Sequence, residues 1–136
     1  MSVQRKPPLP TAQAFLVCKA VHQDPTTRMY SLEKICDAIG LNFFPAGYPV
    51  SVYAYLTGGH GVYELALELR DAEGTPVWAG RWSDPLEYCD PLKSQQLAVN
   101  NTVIAFPAPG RFDLVLLANG EDLAHHGLAV SHLSPR

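Results

Sequence analysis

Val50-Ser51-Val52-Tyr53-Ala54-Tyr55-Leu56-Thr57-Gly58-Gly59-His60-Gly61-Val62-Tyr63-Glu64-Leu65-Ala66-Leu67-Glu68-Leu69-Arg70 is the stretch whose reading decides the fold. Val50, Val52, Ala54 and Leu56 alternate with Ser51, Tyr53, Tyr55 and Thr57. Beyond the glycines, Tyr63, Leu65, Leu67 and Leu69 alternate with Glu64, Ala66, Glu68 and Arg70. A period of two marks strands with one face packed and one face wet. The glycines between them predict a tight turn, and hence a β-hairpin.

Turn chemistry extends the pattern in both directions. Ala12–His22 reads as a first strand, apolar on both parities. Asp24-Pro25-Thr26-Thr27 is a turn. Phe43-Phe44-Pro45-Ala46-Gly47 is a loop with an apolar anchor. Asp71-Ala72-Glu73-Gly74 is a second hairpin turn, leading into a strand over Thr75–Ser83. Asp84–Lys93, with Pro85 and Pro91, reads as a long loop. Gln95–Phe106, Arg111–Ala118 and Asp122–Leu133 follow as strands. Pro107-Ala108-Pro109-Gly110 breaks the first two apart. Asn119-Gly120 joins the last two by the strongest two-residue hairpin signal in the chain.

Met29–Leu41 has two readings. Leu32, Ile35, Cys36 and Ile39 fit a helical stripe with Ser31 as its cap, whereas a strand would place Glu33 and Asp37 beside Ile35 and Ile39. The expectation is an all-β antiparallel sandwich of about eight strands, immunoglobulin-like in architecture, with one short helix as the alternative at Met29–Leu41. Residues 12–136 form its single domain, and Met1–Thr11, with Pro7, Pro8 and Pro10, is a flexible arm.

Composition limits the function. A chain of 136 residues is long enough for one self-sufficient core. Its charged share of 17% is low, and its net charge of −3 comes without a basic block. Nucleic acid and anionic lipid are therefore not expected partners. No segment approaches a membrane span, and no secretion-type apolar run follows Arg5 and Lys6, so the expected location is the cytoplasm. The three cysteines, Cys18, Cys36 and Cys89, lack metal-type spacing and read as reduced thiols, with a Cys18–Cys36 bridge left open.

No motif for chemistry stands out. His125 and His126 are neighbours on a strand and point to opposite faces, which prevents them from sharing an ion. Glu64 and Glu68 share a face but lie ~13 Å apart, too far for a glycosidase pair. The Gly58–Gly61 run precedes a strand, not the helix that a phosphate cradle needs. No Gly-x-Ser-x-Gly elbow occurs. No catalytic, metal-binding or cofactor-binding residue is therefore assigned, and no cofactor is expected. An enzyme would have to draw on loop residues such as His60, Asp84, Cys89, His125 and His126 at one end of the sandwich.

Aromatics are the most suggestive residues. Trp78 and Trp82 share a face of one strand, and Tyr53 and Tyr55 share the less apolar face of another. If those strands are neighbours, they form a flat aromatic binding surface for a partner protein or a sugar. If not, the tryptophans fill the core. Apolar residues on both parities of Ala12–Val21 and Phe112–Ala118 suggest that a second subunit covers a sheet face. The function expected is a non-enzymatic binding or assembly module that associates with itself or with another protein.

Several segments together resemble a known group of proteins. They are Tyr30-Ser31-Leu32-Glu33-Lys34-Ile35-Cys36-Asp37-Ala38-Ile39, Phe44-Pro45-Ala46, the Gly-rich turn between alternating strands, Pro109-Gly110-Arg111-Phe112-Asp113-Leu114 and the Asn119-Gly120 hairpin. Over Ala12–Leu133 the chain resembles a small bacterial β-sandwich family of unknown function. That resemblance implies a strand at Tyr30–Ile39 and cytoplasmic proteins without assigned chemistry.

Overall fold

A computed structural model describes Pro8–Trp82 and Asp84–Leu133. These residues form eleven strands rather than eight: β1 Thr11–Gln23, β2 Tyr30–Ile35, β3 Ala38–Leu41, β4 Ala46–Thr57, β5 Gly61–Tyr63, β6 Leu65–Arg70, β7 Pro76–Arg81, β8 Leu86–Tyr88, β9 Gln95–Phe106, β10 Gly110–Ala118 and β11 Glu121–His132. One sheet has the order β2-β1-β4-β9, a second has β3-β11-β10-β6-β7, and β5 pairs with β8 in a small ladder. Every pairing is antiparallel except β3 with β11. The two larger sheets face each other across one core.

Alternation builds that core. Val52, Ala54 and Leu56 from β4 meet Leu65, Leu67 and Leu69 from β6, with Leu114 and Leu116 from β10. Phe106 and Phe112 close one end edge to face, with centroids 5.6 Å apart. The alternating pattern at Val50–Arg70 thus identifies the buried faces correctly, but the predicted hairpin does not form. β4 pairs with β1 and β9, and β6 pairs with β10 and β7. The glycine segment carries the chain from one sheet to the other. Gly59 lies beneath the ring of Tyr88, where an added Cβ would come within 2.6 Å of it. The glycine is required by this close approach rather than by a two-residue turn.

The two hairpins expected at Asp71–Gly74 and Asn119-Gly120 form where local turn chemistry dictates them. Asp71 Oδ1 accepts from the N–H of Glu73 and Thr75 and joins β6 to β7. Asn119 and Gly120 take φ of 51° and 81° between β10 and β11, as a primed turn demands. Tyr30–Ile35 and Ala38–Leu41 are strands, with Lys34 at φ 53°, and the described residues contain no helix there. Cys36 and Asp37 interrupt the strand, so β2 joins one sheet and β3 the other. The helical stripe arises because Ile39 faces the core from a different sheet than Leu32. Within the loop expected at Asp84–Lys93, β8 adds three paired residues.

Met1–Pro7 of the expected proline arm lies outside the described residues, as does Ser83. From Pro8 onward the chain joins the body. Tyr63 Oη donates to the Pro8 carbonyl, Leu9 packs against the core and Pro10 is buried.

Candidate binding surfaces

Tyr53 and Tyr55 are out of phase with Val52 and Ala54, so they project from the outer face of the four-stranded sheet. Trp78 and Trp82 belong to the opposite sheet and face inward. Trp82 is 2% exposed within the main core. Trp78 stands opposite Leu69, packs against the same core and lays its ring over Gly80. The two pairs are not on neighbouring strands, and the structure does not bring the four residues onto one surface. In-phase spacing on the strand gave the tryptophans a common face, which is the buried one.

The outer tyrosines have a cover of their own. Beyond Cys18, paired with Ser51, β1 leaves β4 but stays paired with β2 as far as Gln23. This far half of the β1–β2 hairpin bends over β4 and approaches β9. Asn100 on β9 holds it there. Its Oδ1 accepts from Val21 N at 2.9 Å, and its Nδ2 donates to Val21 O at 3.1 Å, as a neighbouring strand would. Ser51, fully buried, fills the parting. Its Oγ donates to Lys19 O and accepts from Asn101 N.

Under the hairpin, Cys18, Val21 and Tyr53 form a second buried cluster, with Tyr30, Leu32, Tyr55 and Ala98 packed around it. The Tyr30 and Tyr53 rings lie 5.6 Å apart, and Tyr53 Oη donates to Gln96 Oε1. Burial pushes the pKa of Tyr53 and of the Cys18 thiol up. The apolar outer parity of β1 is therefore covered by the chain's own hairpin.

Charge covers the corresponding face of the five-stranded sheet. Val115 and Leu117 point away from the core yet are buried. Arg70 on β6 reaches across β10 to Asp122 on β11 in a bidentate pair at 2.7 and 2.8 Å, and its Nε donates to Glu68 at 2.6 Å. The ion pair thus spans β10 on the face that carries Val115 and Leu117. His125 stands 3.6 Å from the same Asp122. Hydrogen bonding to Arg70 lowers the Asp122 pKa, and the two carboxylates raise that of Arg70. The apolar outer parity of β10 likewise needs no second subunit to explain it.

The loop-end constellation is dispersed. His125 and His126 sit in mid-strand opposite Val115 and Leu114, and His126 Nε2 lies 2.6 Å from the Cys36 carbonyl. His22 pairs with Glu33 at 3.2 Å, and His132 stacks near Phe44. Among the described residues, no group of three or more His, Cys, Asp or Glu residues is placed to hold a metal ion. Cys18 belongs to the outer cluster while Cys36 packs against the main core, and both are free thiols, as is the exposed Cys89. Of the residues singled out for loop chemistry, Asp84 lines a cleft of about 520 Å³ with Glu64, Arg81 and Asn119.

The four edges of the two larger sheets differ in how they are defended. β2 carries Glu33 and Lys34, β3 has four residues, and β7 begins at Pro76 and ends at Arg81. Charge, brevity, proline and bulges are the usual devices against strand addition. β9 runs for 12 residues, Gln95-Gln96-Leu97-Ala98-Val99-Asn100-Asn101-Thr102-Val103-Ile104-Ala105-Phe106, without a charge or a proline. Its one irregularity is a bulge at Asn100–Asn101 opposite Ser51, where Asn101 has φ 59°. This edge escaped the sequence reading because the neutrality of a strand has consequences only once the strand is known to lie at an edge.

Among the described residues, no helix is long and apolar enough to cross a membrane. A search of curated proteins returns no match. A family model matches residues 13–131, a range that runs from within β1 to within β11. The chain belongs to the family of unknown function DUF6941.

Proposed function

We propose that this chain is a non-enzymatic binding or assembly module that associates with itself. The observation that supports the reading is the long, uncharged and proline-free edge of β9, set against three blunted edges and two outer faces that the chain covers by itself. An uncharged edge strand offers free backbone donors and acceptors to another strand. Tyr55, half-buried and opposite Gln96, borders that edge on the outer face. Of the four aromatics, Tyr53 and Tyr55 therefore flank the proposed surface, and the tryptophans belong to the main core.

Sedimentation velocity between about 1 and 100 μM tests the reading, since edge pairing of this kind gives roughly micromolar affinity. A concentration-dependent shift to a larger species is expected. A single monomer boundary throughout would remove self-association.

A second reading draws on the cleft of about 520 Å³ at Glu64, Arg81, Asp84 and Asn119, whose size suits a small polar ligand. It predicts a ligand-induced rise in melting temperature that disappears in Arg81→Ala. A metabolite screen without any such shift would oppose it.

A further inference from the structure

The backbone geometry of β9 specifies a partner. Val17 C=O accepts from Cys36 N at 2.8 Å on the β2 side of β1. Its neighbours Leu16 and Cys18 therefore turn their backbone groups toward β4, and their partners Tyr53 and Ser51 turn theirs toward β1. Alternation along β4 then directs Tyr48, Val50, Val52 and Ala54 toward β9. Pro49 falls on the other side, where the ladder to β1 has already ended and its missing N–H is not needed.

Opposite Tyr48, Val50, Val52 and Ala54 stand Ile104, Thr102, Val99 and Leu97, whose backbone groups are used within the sheet. Gln96, Ala98, Val103 and Ala105 consequently present theirs to the open edge. The Gln96 carbonyl carries one long contact, 3.5 Å, from Tyr30 Oη, and retains a second lone pair.

These four positions are symmetric about the bulge. Counted from the midpoint between Asn100 and Asn101, Ala98 mirrors Val103 and Gln96 mirrors Ala105. In a regular strand the symmetry point would fall on a residue, and the extra residue moves it to the midpoint between Asn100 and Asn101.

We propose that two copies of this chain pair β9 with β9 in antiparallel fashion about a two-fold axis at Asn100–Asn101. Ala98 of one copy lies opposite Val103 of the other, and Gln96 opposite Ala105. Each such pair exchanges two backbone hydrogen bonds. The side-chain faces agree as well. Ala98 and Gln96 share the outer face with Tyr53 and Tyr55, and Val103 and Ala105 share it with Pro49 and Gly47. Val103, 60% exposed in one copy, gains a neighbour. The result is one continuous sheet through both copies.

A second copy is the fitting occupant because a neutral edge demands a neutral, proline-free strand of matching length. A partner strand bearing Lys or Glu would set its charge beside Asn, Thr and Val, where β9 offers no counter-charge. Within this chain, β9 meets that demand and the other edge strands do not.

The pairing rests on the self-association reading, and the test separates the two. Val103→Pro and Ala105→Pro each remove an outward N–H and leave the β4 ladder intact. Each is expected to weaken the dimer about a hundredfold in sedimentation velocity, since two donors are lost per dimer. Circular dichroism should stay unchanged.

A wild type that is monomeric at ~100 μM would overturn both the pairing and the self-association reading. An oligomer that survives both proline variants would overturn the pairing alone. If the variants misfold, amide exchange of the wild type decides. Ala98, Val103 and Ala105 should gain protection as concentration rises, together with Gln96. Fast exchange at these amides within an oligomer would overturn the pairing.

Discussion

Tyr53 on the four-stranded sheet and Val115 on the five-stranded sheet both point away from the main core, and both are nearly closed off from water, at 8% and 0% exposure. Over Tyr53 the chain folds back a hairpin, fixes it with Asn100 and builds a small second core. Over Val115 it lays one long side chain, Arg70, tied to two carboxylates. The first cover is hydrophobic and cooperative, because removing one member exposes several others. The second is electrostatic and local. Apolar residues on both parities of a strand therefore do not by themselves imply a second subunit. The cover has to be found first, and here it differs between the two faces.

The sharpest break of this contrast is Tyr53→Ala. It empties a buried aromatic site and removes the bond to Gln96, and it should cost about 3 kcal/mol in urea unfolding, independent of salt. Asn100→Ala tests the clasp alone. Loss of its two hydrogen bonds to Val21 should cost about 2 kcal/mol and should raise amide exchange at Val21 before global unfolding. The same variant should label Cys18 with a maleimide about tenfold faster, while Cys89 reacts at the wild-type rate. Equal Cys18 labelling in both proteins would show that the hairpin does not gate access.

On the other face, Arg70→Met should cost about 1 kcal/mol or less, because Asp122 is partly solvated and the pair is screened. The loss should shrink in high salt, unlike that of Tyr53→Ala. Acid gives the smallest and most specific signal. The Asp122 carboxyl titrates below its unfolded value of roughly 3.9, so its stabilising share is present in full above that pH. It is lost as pH falls through the lower, folded value. Wild type and Arg70→Met should therefore converge in stability toward pH ~2 and separate above pH ~5. A gap that persists in acid would mean that Arg70 acts through its stem alone.

How much of this was legible in the sequence depended on whether the determinant was local. Asn119-Gly120 and Asp71–Gly74 dictate their hairpins by backbone conformation and side-chain bonds within a few residues. They read true. Alternation at Val50–Arg70 also told which side chains are buried, but burial parity does not name the strand across the ladder. Gly58-Gly59-His60-Gly61 looked like a turn, while its second glycine answers to Tyr88, far along the chain. Trp78 and Trp82 both pack into the main core, and that this is the inward side follows from Leu69, the partner of Trp78 on the neighbouring strand. The Asn100 clasp was hidden because it joins residues 79 apart. An asparagine in a strand of mixed polarity carries no mark of its target.

The crossings between sheets also bear on how the molecule assembles. The chain enters the four-stranded sheet at β1 and β2, leaves for β3, returns for β4, departs through β5 to β6 and β7, and comes back for β9 before ending in β10 and β11. Neither sheet is contiguous along the chain. Neighbouring strands close early only at β1–β2, β6–β7 and β10–β11, and every other ladder waits for a distant segment to arrive. Loop closure must therefore precede most of the stabilising contacts, and refolding belongs in the range of milliseconds to seconds, on the order of other sandwiches with non-local pairing. Until β4 and β9 meet, β9 has no partner, and the neutral strand proposed to pair two folded copies is also a point open to misassembly.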